Sequence, residues 1–476
     1  MSGAIDLAIR GGTLVTAADR FRADIGVRDG RIVEISERID GATEEIDATG
    51  LFVLPGGIDA HVHLAQPTSD GTVMADDFET GTRSAAAGGN TTVLPFAMQV
   101  KGTSLRDCVT AYHEKAAGNC YTDVSFHLII SDPTPQVLGQ ELPALVRDGY
   151  TSFKVFMTYD DLMLNDAQLL EVFDVARREQ ALVMVHAEGH DAIRHMARRL
   201  EEQGRTAPYY HAEAHAEIAE REATHRAISH AQLTDVPVVI VHVSGRDPME
   251  QIQWARRRGM QVYAETCPQY IALTRDDLKG LNMDFEGAKY VCSPPPRDAD
   301  GQAAIWEGLR DGTFDLFSSD HCPFYFEAPA ETGKDNHRAR TSFRWVPNGI
   351  PGVETRLPIL FSEGVSKGRI SMERFVALTS TNPARLYGLY PQKGALAIGA
   401  DADITLWDAG LTRPITQAGL NHGSDYTPYE GMEITGWPVR TLLRGRTTAL
   451  DGRTVEGPRP GRYQSRGLSE AVTRAG

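Results

Sequence analysis

The sequence predicts an α/β protein: a (β/α)8 TIM-like barrel with a small β-sandwich domain built from both chain ends. Three observations predict it. Between about residues 55 and 390, apolar runs of strand length alternate with helical patterns. Most of those runs are continuously apolar, as parallel strands covered on both faces are. Outside that region both ends read as short strands with Gly-containing turns, and neither end has enough strands to bury a face alone.

Taken in order, N-terminal strands are expected at 6–16, 24–27, 31–36 and 45–46, punctuated by Gly11-Gly12, Asp29-Gly30 and Thr49-Gly50. Asp-Gly is a good hairpin marker. Barrel strands follow at 51–58, 91–96, 124–130, 152–157, 181–185, 236–241, 261–265 and 313–318. Helical segments between them include 165–179, with Asn165 as N-cap, and 212–230. The strand pattern returns at 402–407, 440–444 and 447–450, before Asp451-Gly452. The expected division is a sandwich of 1–54 plus 391–460, a barrel at 55–390 and a C-terminal tail at 461–476. The Pro/Gly-rich stretch 457–462 is expected to run over the surface or onto a neighbouring subunit. A doubly wound open sheet is the competing layout, but no G-x-G-x-x-G follows an early strand.

With 476 residues, 41% hydrophobic and 24% charged, the chain has the composition of a soluble globular protein with a large core. A net charge of -16 argues against nucleic acid or an anionic membrane as partner, since both need clustered Lys/Arg. No apolar stretch approaches the length of a membrane helix. The start, Met1-Ser2-Gly3-Ala4-Ile5-Asp6, lacks the basic-then-apolar order of a signal peptide. Cys108, Cys120, Cys267, Cys292 and Cys322 are widely spaced and form no Cys-x-x-Cys, so they read as free thiols. A cytoplasmic location is expected.

Chemistry in such a barrel sits at the C-terminal ends of the strands. The first strand ends on His61-Val62-His63, two histidines that share a side when the backbone is extended. Later strands end on His186, His242 and Asp320, and the fourth embeds Lys154 between Phe153 and Val155. Each has an ordinary structural explanation alone, yet nitrogen and carboxylate ligands recur at one end of one barrel. Lys154 has two readings. It is either one side of a buried salt bridge or a desolvated amine that adds CO2. The resulting N-carboxylate could bridge two cations sharing a hydroxide. His211 and His215, at i,i+4 in an Ala/Glu-rich segment, read as surface histidines, and His321 and Cys322 as structural.

This set resembles the metal site of the amidohydrolase superfamily, and more closely the cyclic amidohydrolases of the dihydropyrimidinase/D-hydantoinase type. The likeness runs through Gly56-Gly57-Ile58-Asp59-Ala60-His61-Val62-His63, Phe153-Lys154-Val155-Phe156-Met157-Thr158-Tyr159, Val185-His186-Ala187-Glu188, Cys292-Ser293-Pro294-Pro295-Pro296-Arg297 and Ser319-Asp320-His321-Cys322-Pro323. The resemblance implies two divalent metal ions, zinc, per chain, with a CO2-derived carbamate on Lys154. It implies His61, His63, Lys154 and Asp320 around the more buried metal, and Lys154, His186 and His242 around the other. Asp320 would be the catalytic base and then acid. Tyr159 would donate to the developing oxyanion. Main-chain groups of Ser293 and Asn348 would grip the cyclic amide edge, with Phe156, Met163, Leu64 and Phe96 around the ring substituent.

The activity so implied is hydrolytic ring opening of a cyclic amide or imide, such as a 5,6-dihydropyrimidine or a 5-substituted hydantoin, by a binuclear-metal hydroxide. The implied assembly is a homotetramer or homodimer. Alternatives are allantoinase or another cyclic ureide amidohydrolase, and a non-catalytic interaction homologue, which six intact metal positions argue against. Two departures stand out. Ala65 occupies a position where carboxylate-binding relatives place an arginine, and Gly189-His190 replaces the usual Asn-Gly.

Overall fold

The structure, a computed structural model, describes residues 5–68, 71–327 and 331–473. Met1 to Ala4, at the start used for the signal-peptide reading, and Ser69, at the end of the loop after His63, lie outside them. So do the last three residues of the expected tail.

Eight parallel strands build the barrel: Gly57–Val62, Asn90–Met98, His127–Ile129, Ser152–Phe156, Leu182–His186, Val238–Ile240, Val262–Thr266 and Leu316–Phe317. The ring closes where Val62 bridges His321 and the His63 amide donates to the His321 carbonyl at 2.7 Å. Strand parity sorts the side chains. Phe153 and Val155 pack outward under the helices, whereas Phe156 joins the inner cluster with Ile58, Phe96 and Met184. Lys154 shares Phe156's parity and therefore enters the barrel. The helix expected at 165–179 runs Asp166–Glu179, with Asn165 as N-cap in a reciprocal pair with Gln168.

The run at 51–58 is two strands in two sheets. Phe52–Pro55 pairs with Ile404–Pro414, and Gly57–Val62 starts the barrel. Gly56 makes the crossing, and a Cβ there would lie 2.2 Å from Thr91 Oγ1, so only glycine allows this approach. Continuous hydrophobicity concealed the change of sheet. The run at 124–130 likewise splits into Asp123–Val124 and His127–Ile129.

Both chain ends meet in a seven-stranded sheet in which Phe52–Pro55 lies between Thr13–Val15 and Ile404–Pro414. A four-stranded sheet of N-terminal strands shares a core with it through Ile9, Ile25, Val27, Val53, Ile404 and Leu442. Asp29-Gly30 and Asp451-Gly452 turn their hairpins with both residues at positive φ, as the mirror-image type I turn requires.

A buried ion cluster fastens this β module to the barrel. Lys393 Nζ, 1% exposed, reaches Asp123 at 2.5 Å, Asp401 at 2.9 Å and Asp403 at 2.6 Å. The three carboxylates have the spacing of a cation site, but the ammonium already occupies their centre. The tail also converges here: the Arg462 amide donates to Asp123 Oδ1 at 2.8 Å. Farther on, Arg466 is 4% exposed and donates to Ser152 Oγ and the Phe126 carbonyl at 2.8 and 2.6 Å. Residues 457–462 themselves are exposed or half-buried, and the inward turn comes beyond them, at Arg466. Lys393→Met is expected to lower the unfolding free energy by about 3–5 kcal/mol by stranding buried carboxylates. Urea denaturation reads this, with Lys393→Arg recovering part of the loss.

Candidate metal centre

His61 is the fifth residue of Gly57–Val62, and the pairing of His63 with His321 keeps the backbone extended, so both rings face one side. Their centroids lie 5.4 Å apart. Asp320 arrives from across the closure, with Oδ1 at 3.1 Å from His61 Nε2 and 3.4 Å from His63 Nε2. These three residues can present ligand atoms within 4.8 Å of one another. His186 and His242 form a second group, with His242 Nε2 2.9 Å from His186 Nδ1. His61 and His242 ring centroids are 5.4 Å apart, so the two groups adjoin.

Lys154 lies between them. Its Nζ is 3.2 Å from His61 Nε2 and about equally far from two rings, 5.0 Å from the Phe96 centroid and 5.1 Å from that of Phe156. Phe96 stacks on His63, and Phe156 stacks on His186. Among the described residues, no carboxylate oxygen comes within the 4.0 Å ion-pair distance of Nζ. The salt-bridge reading of Lys154 therefore finds no partner. Burial pushes its pKa down, toward the neutral amine.

The outer ring nitrogens reveal how the imidazoles are set. His61 Nδ1 donates to Glu265 Oε1 at 2.6 Å, His63 Nδ1 to Gln66 Oε1 at 2.8 Å, and His186 Nε2 to Glu188 Oε2 at 2.8 Å. An acceptor opposite each outer nitrogen holds the proton there and leaves the inner nitrogen as a lone pair. Burial also lowers the pKa of His61, His186 and His242, which favours the neutral rings that bind cations. Burial would raise the Asp320 carboxyl, but His61 and His63 beside it outweigh this and bring it below its ordinary value. Neutral imidazoles, a desolvated amine and a carboxylate are a donor set that fits a divalent cation pair.

Three of these positions carry unusual backbone. Tyr159, His242 and Asp320 have φ of 72°, 39° and 49°. Such conformations cost about 1–3 kcal/mol each and persist only where the surroundings impose them.

Tyr159 follows Phe156 in a loop that folds back, with the Met163 amide donating to the Tyr159 carbonyl at 2.9 Å and Phe156 bridging Met163. Burial and then the Glu188 charge raise the Tyr159 phenol well above its usual pKa, and its hydroxyl meets the Ser293 side chain. Ser293 is 6% exposed and donates to Glu188 Oε2 at 2.8 Å. Asn348 is half-buried, its Oδ1 lacks a hydrogen-bond partner among the described residues, and its carbonyl faces the Cys322 thiol.

Several expectations need correction. Leu64 is fully buried and turns into the core against Gly81, where Phe78–Ala87 leaves room for it, so it does not wall a pocket. Phe96 and Phe156 stack on the imidazoles of His63 and His186, and Phe156 also meets the Tyr159 ring. His211 and His215 are 2% and 7% exposed, not surface residues. The segment 212–230 is broken: Tyr210–Ala214 ends at His215, and Glu217–Thr234 begins anew. That break swings His215 inward to Glu188 Oε1 at 2.9 Å, and the Ala/Glu composition of the following helix masked it.

The two sequence departures also acquire places. His190 Nε2 lies 3.4 Å from Asp160 Oδ1, which ties Gly189-His190 to the residue after Tyr159. Ala65 takes φ 49° and its carbonyl accepts from Lys115 Nζ at 2.7 Å, which holds the loop bearing Gln66. Glu188, His215, Gln66 and Glu265 had no role assigned from sequence. Glu188 and Gln66 could have been found by their nearness to His186 and His63, and Glu265 by its place at the end of the expected strand 261–265, whereas His215 offered no such signal.

The amidohydrolase family matches residues 52–448. The chain is 42% identical to a D-hydantoinase of Rhizobium radiobacter, over 97% of this chain and 99% of the relative. It is 44% identical to a D-hydantoinase of Geobacillus stearothermophilus, over 96% of each. The solved structure of a dihydropyrimidinase from Brevibacillus agri NCHU1002 superposes with a TM-score of 0.93 at 43% identity, covering 97% of this chain and 99% of that one. A full-length match at this identity, with the barrel and its histidine cluster in place, makes the chain a member of the amidohydrolase family, of the dihydropyrimidinase and D-hydantoinase type.

Proposed function

We propose that this enzyme opens the ring of 5-substituted hydantoins or 5,6-dihydropyrimidines by hydrolysing a ring C–N bond at a pair of divalent cations, zinc in the native protein. The observation that carries the reading is Lys154, a lysine buried among ligand-type side chains with no carboxylate at ion-pair distance among the described residues. Addition of CO2 to its amine would give a carboxylate able to serve two cations at once. His61, His63 and Asp320 would hold one cation, His186 and His242 the other, and carboxylated Lys154 both. When bound, such cations polarise a carbonyl oxygen and bring the pKa of water near neutrality.

The chain's own groups supply the rest. Asp320, brought below its ordinary carboxyl pKa by His61 and His63, is a carboxylate at neutral pH and can accept a proton and deliver it to the departing ring nitrogen. Tyr159 keeps its phenolic proton, so it can donate a hydrogen bond to the substrate oxygen as negative charge develops. Main-chain groups of Ser293 and Asn348 would align the amide edge, and Met163 would border the substituent. Lys115 is engaged by the Ala65 carbonyl and no arginine stands at position 65, which disfavours a carboxylate-bearing ring such as dihydroorotate. A cytoplasmic location, which the free thiols support, and assembly as a homotetramer or homodimer complete the proposal. No helix among the described residues is long and apolar enough to cross a membrane.

An assay panel of dihydrouracil, hydantoin, phenylhydantoin, allantoin and dihydroorotate tests the substrate class, and turnover of allantoin alone would overturn it. Lys154→Ala is expected to abolish both cation binding and turnover. Two zinc ions per chain and normal rates in that variant, by atomic absorption and assay, would rule out the shared carboxylate. Tyr159→Phe should keep both cations and nearly the same KM while kcat falls by about 10²–10³-fold, the usual cost of one oxyanion donor.

A further inference from the structure

Behind His186, Glu188 is a buried acceptor with three donors. Its Oε2 takes the His186 Nε2 proton and the Ser293 hydroxyl, each at 2.8 Å, and its Oε1 takes the His215 Nδ1 proton at 2.9 Å. Both Oε2 bonds serve residues of the proposed site, one a cation ligand and one a substrate contact. The Oε1 bond adds a restraint on the other side of the carboxylate, whose last torsion is broad and soft. His215 is itself held from three sides. Its ring lies 4.2 Å from that of His211, and His211 Nε2 donates to the carbonyl of Cys292, the neighbour of Ser293. Its carbonyl accepts from Arg297 Nη1 at 2.6 Å. Arg297 in turn donates to Ser244 Oγ at 2.8 Å, two residues beyond His242. Ser244 and Arg297 are both bonded to buried Glu220.

We infer that His215 is a positioning residue: it fixes Glu188, and through it both the His186 tautomer and the Ser293 hydroxyl, while its backbone ties the same hub to the His242 segment. This rests on the cation-pair reading above and deepens it. The consequence is that affinity for the second cation and the grip on the substrate's amide edge depend on one donor, His215 Nδ1. Removing a hydrogen-bond partner of this kind typically weakens metal binding by about 10–100-fold.

The test compares His215→Asn with His215→Gln in the full-length enzyme. The Asn amide nitrogen stands as many bonds from Cα as Nδ1 does, whereas that of Gln stands one bond farther. Three readouts are followed against the wild type: cations per chain in limiting zinc buffer, the absorption spectrum of cobalt-loaded protein, and KM against kcat. The Asn variant is expected to keep two cations and the wild-type cobalt spectrum. The Gln variant should bind its second cation about 10–100-fold more weakly, with a changed spectrum and a raised KM. Wild-type values in both variants would overturn the inference. So would equal losses in both, or failure of both to fold, since either would mark His215 as packing alone. A wild-type protein holding no cation pair would instead refute the reading beneath it, so the two failures are distinguishable.

Discussion

A lysine ammonium inside a barrel, with aromatic rings on two sides and no carboxylate in contact among the described residues, is the constraint around which this molecule is arranged. Leaving such a charge uncompensated in a low-dielectric interior costs several kcal/mol. The alternation of the fourth strand leaves no other place for it, because residue 154 must point inward when 153 and 155 point out. The conflict is relieved if the amine is neutral or carries a carboxylate that cations can share. The two phenylalanines that desolvate it, Phe96 and Phe156, also brace His63 and His186. One packing arrangement thus lowers the amine's basicity and aims the imidazoles.

Pre-setting of the imidazoles continues outward. Glu265, Gln66 and Glu188 each capture an outer ring proton, so the inner nitrogens face the centre as lone pairs. These acceptors are not equal. Glu265 and Glu188 offer carboxyl oxygens, whereas Gln66 offers an amide oxygen on a loop steadied by Lys115. His61 and His186 are therefore held by carboxyl groups and His63 by an amide. Left-handed backbone at Tyr159, His242 and Asp320 adds strain in the same few residues. The rest of the fold must supply the rigidity that sustains it. The Lys393 cluster is one source, since it joins Asp123 at the barrel floor to Asp401 and Asp403 of the returning chain.

The barrel, the pairing of the two ends and the histidines and aspartate that cluster at one rim were legible in the sequence because each rests on a local rule. Apolar runs mark buried parallel strands, Asp-Gly marks hairpins, and a chemically reactive side chain at a strand end lands on one rim. Where two local rules gave the same signal, the sequence was ambiguous. Residues 51–58 are apolar throughout, and nothing in them except Gly56 shows the chain leaving one sheet for another. Residues 212–230 are rich in helix formers, which concealed the break that turns His215 inward. Leu64 is apolar and next to a ligand, a description that suits a pocket wall and a core residue equally.

What the sequence determined by itself was which side chains face the barrel's interior and at which end, since strand periodicity is fixed by backbone geometry. What only the tertiary structure decided was the layer around them: Glu188 with His215 and Ser293, Gln66 with His63, Asp160 with His190. Those partnerships join residues from separate elements, 105 positions apart in the case of Glu188 and Ser293. Hydrogen bonding between side chains depends on distances of a few tenths of an ångström and on which way a loop turns. No local periodicity encodes either.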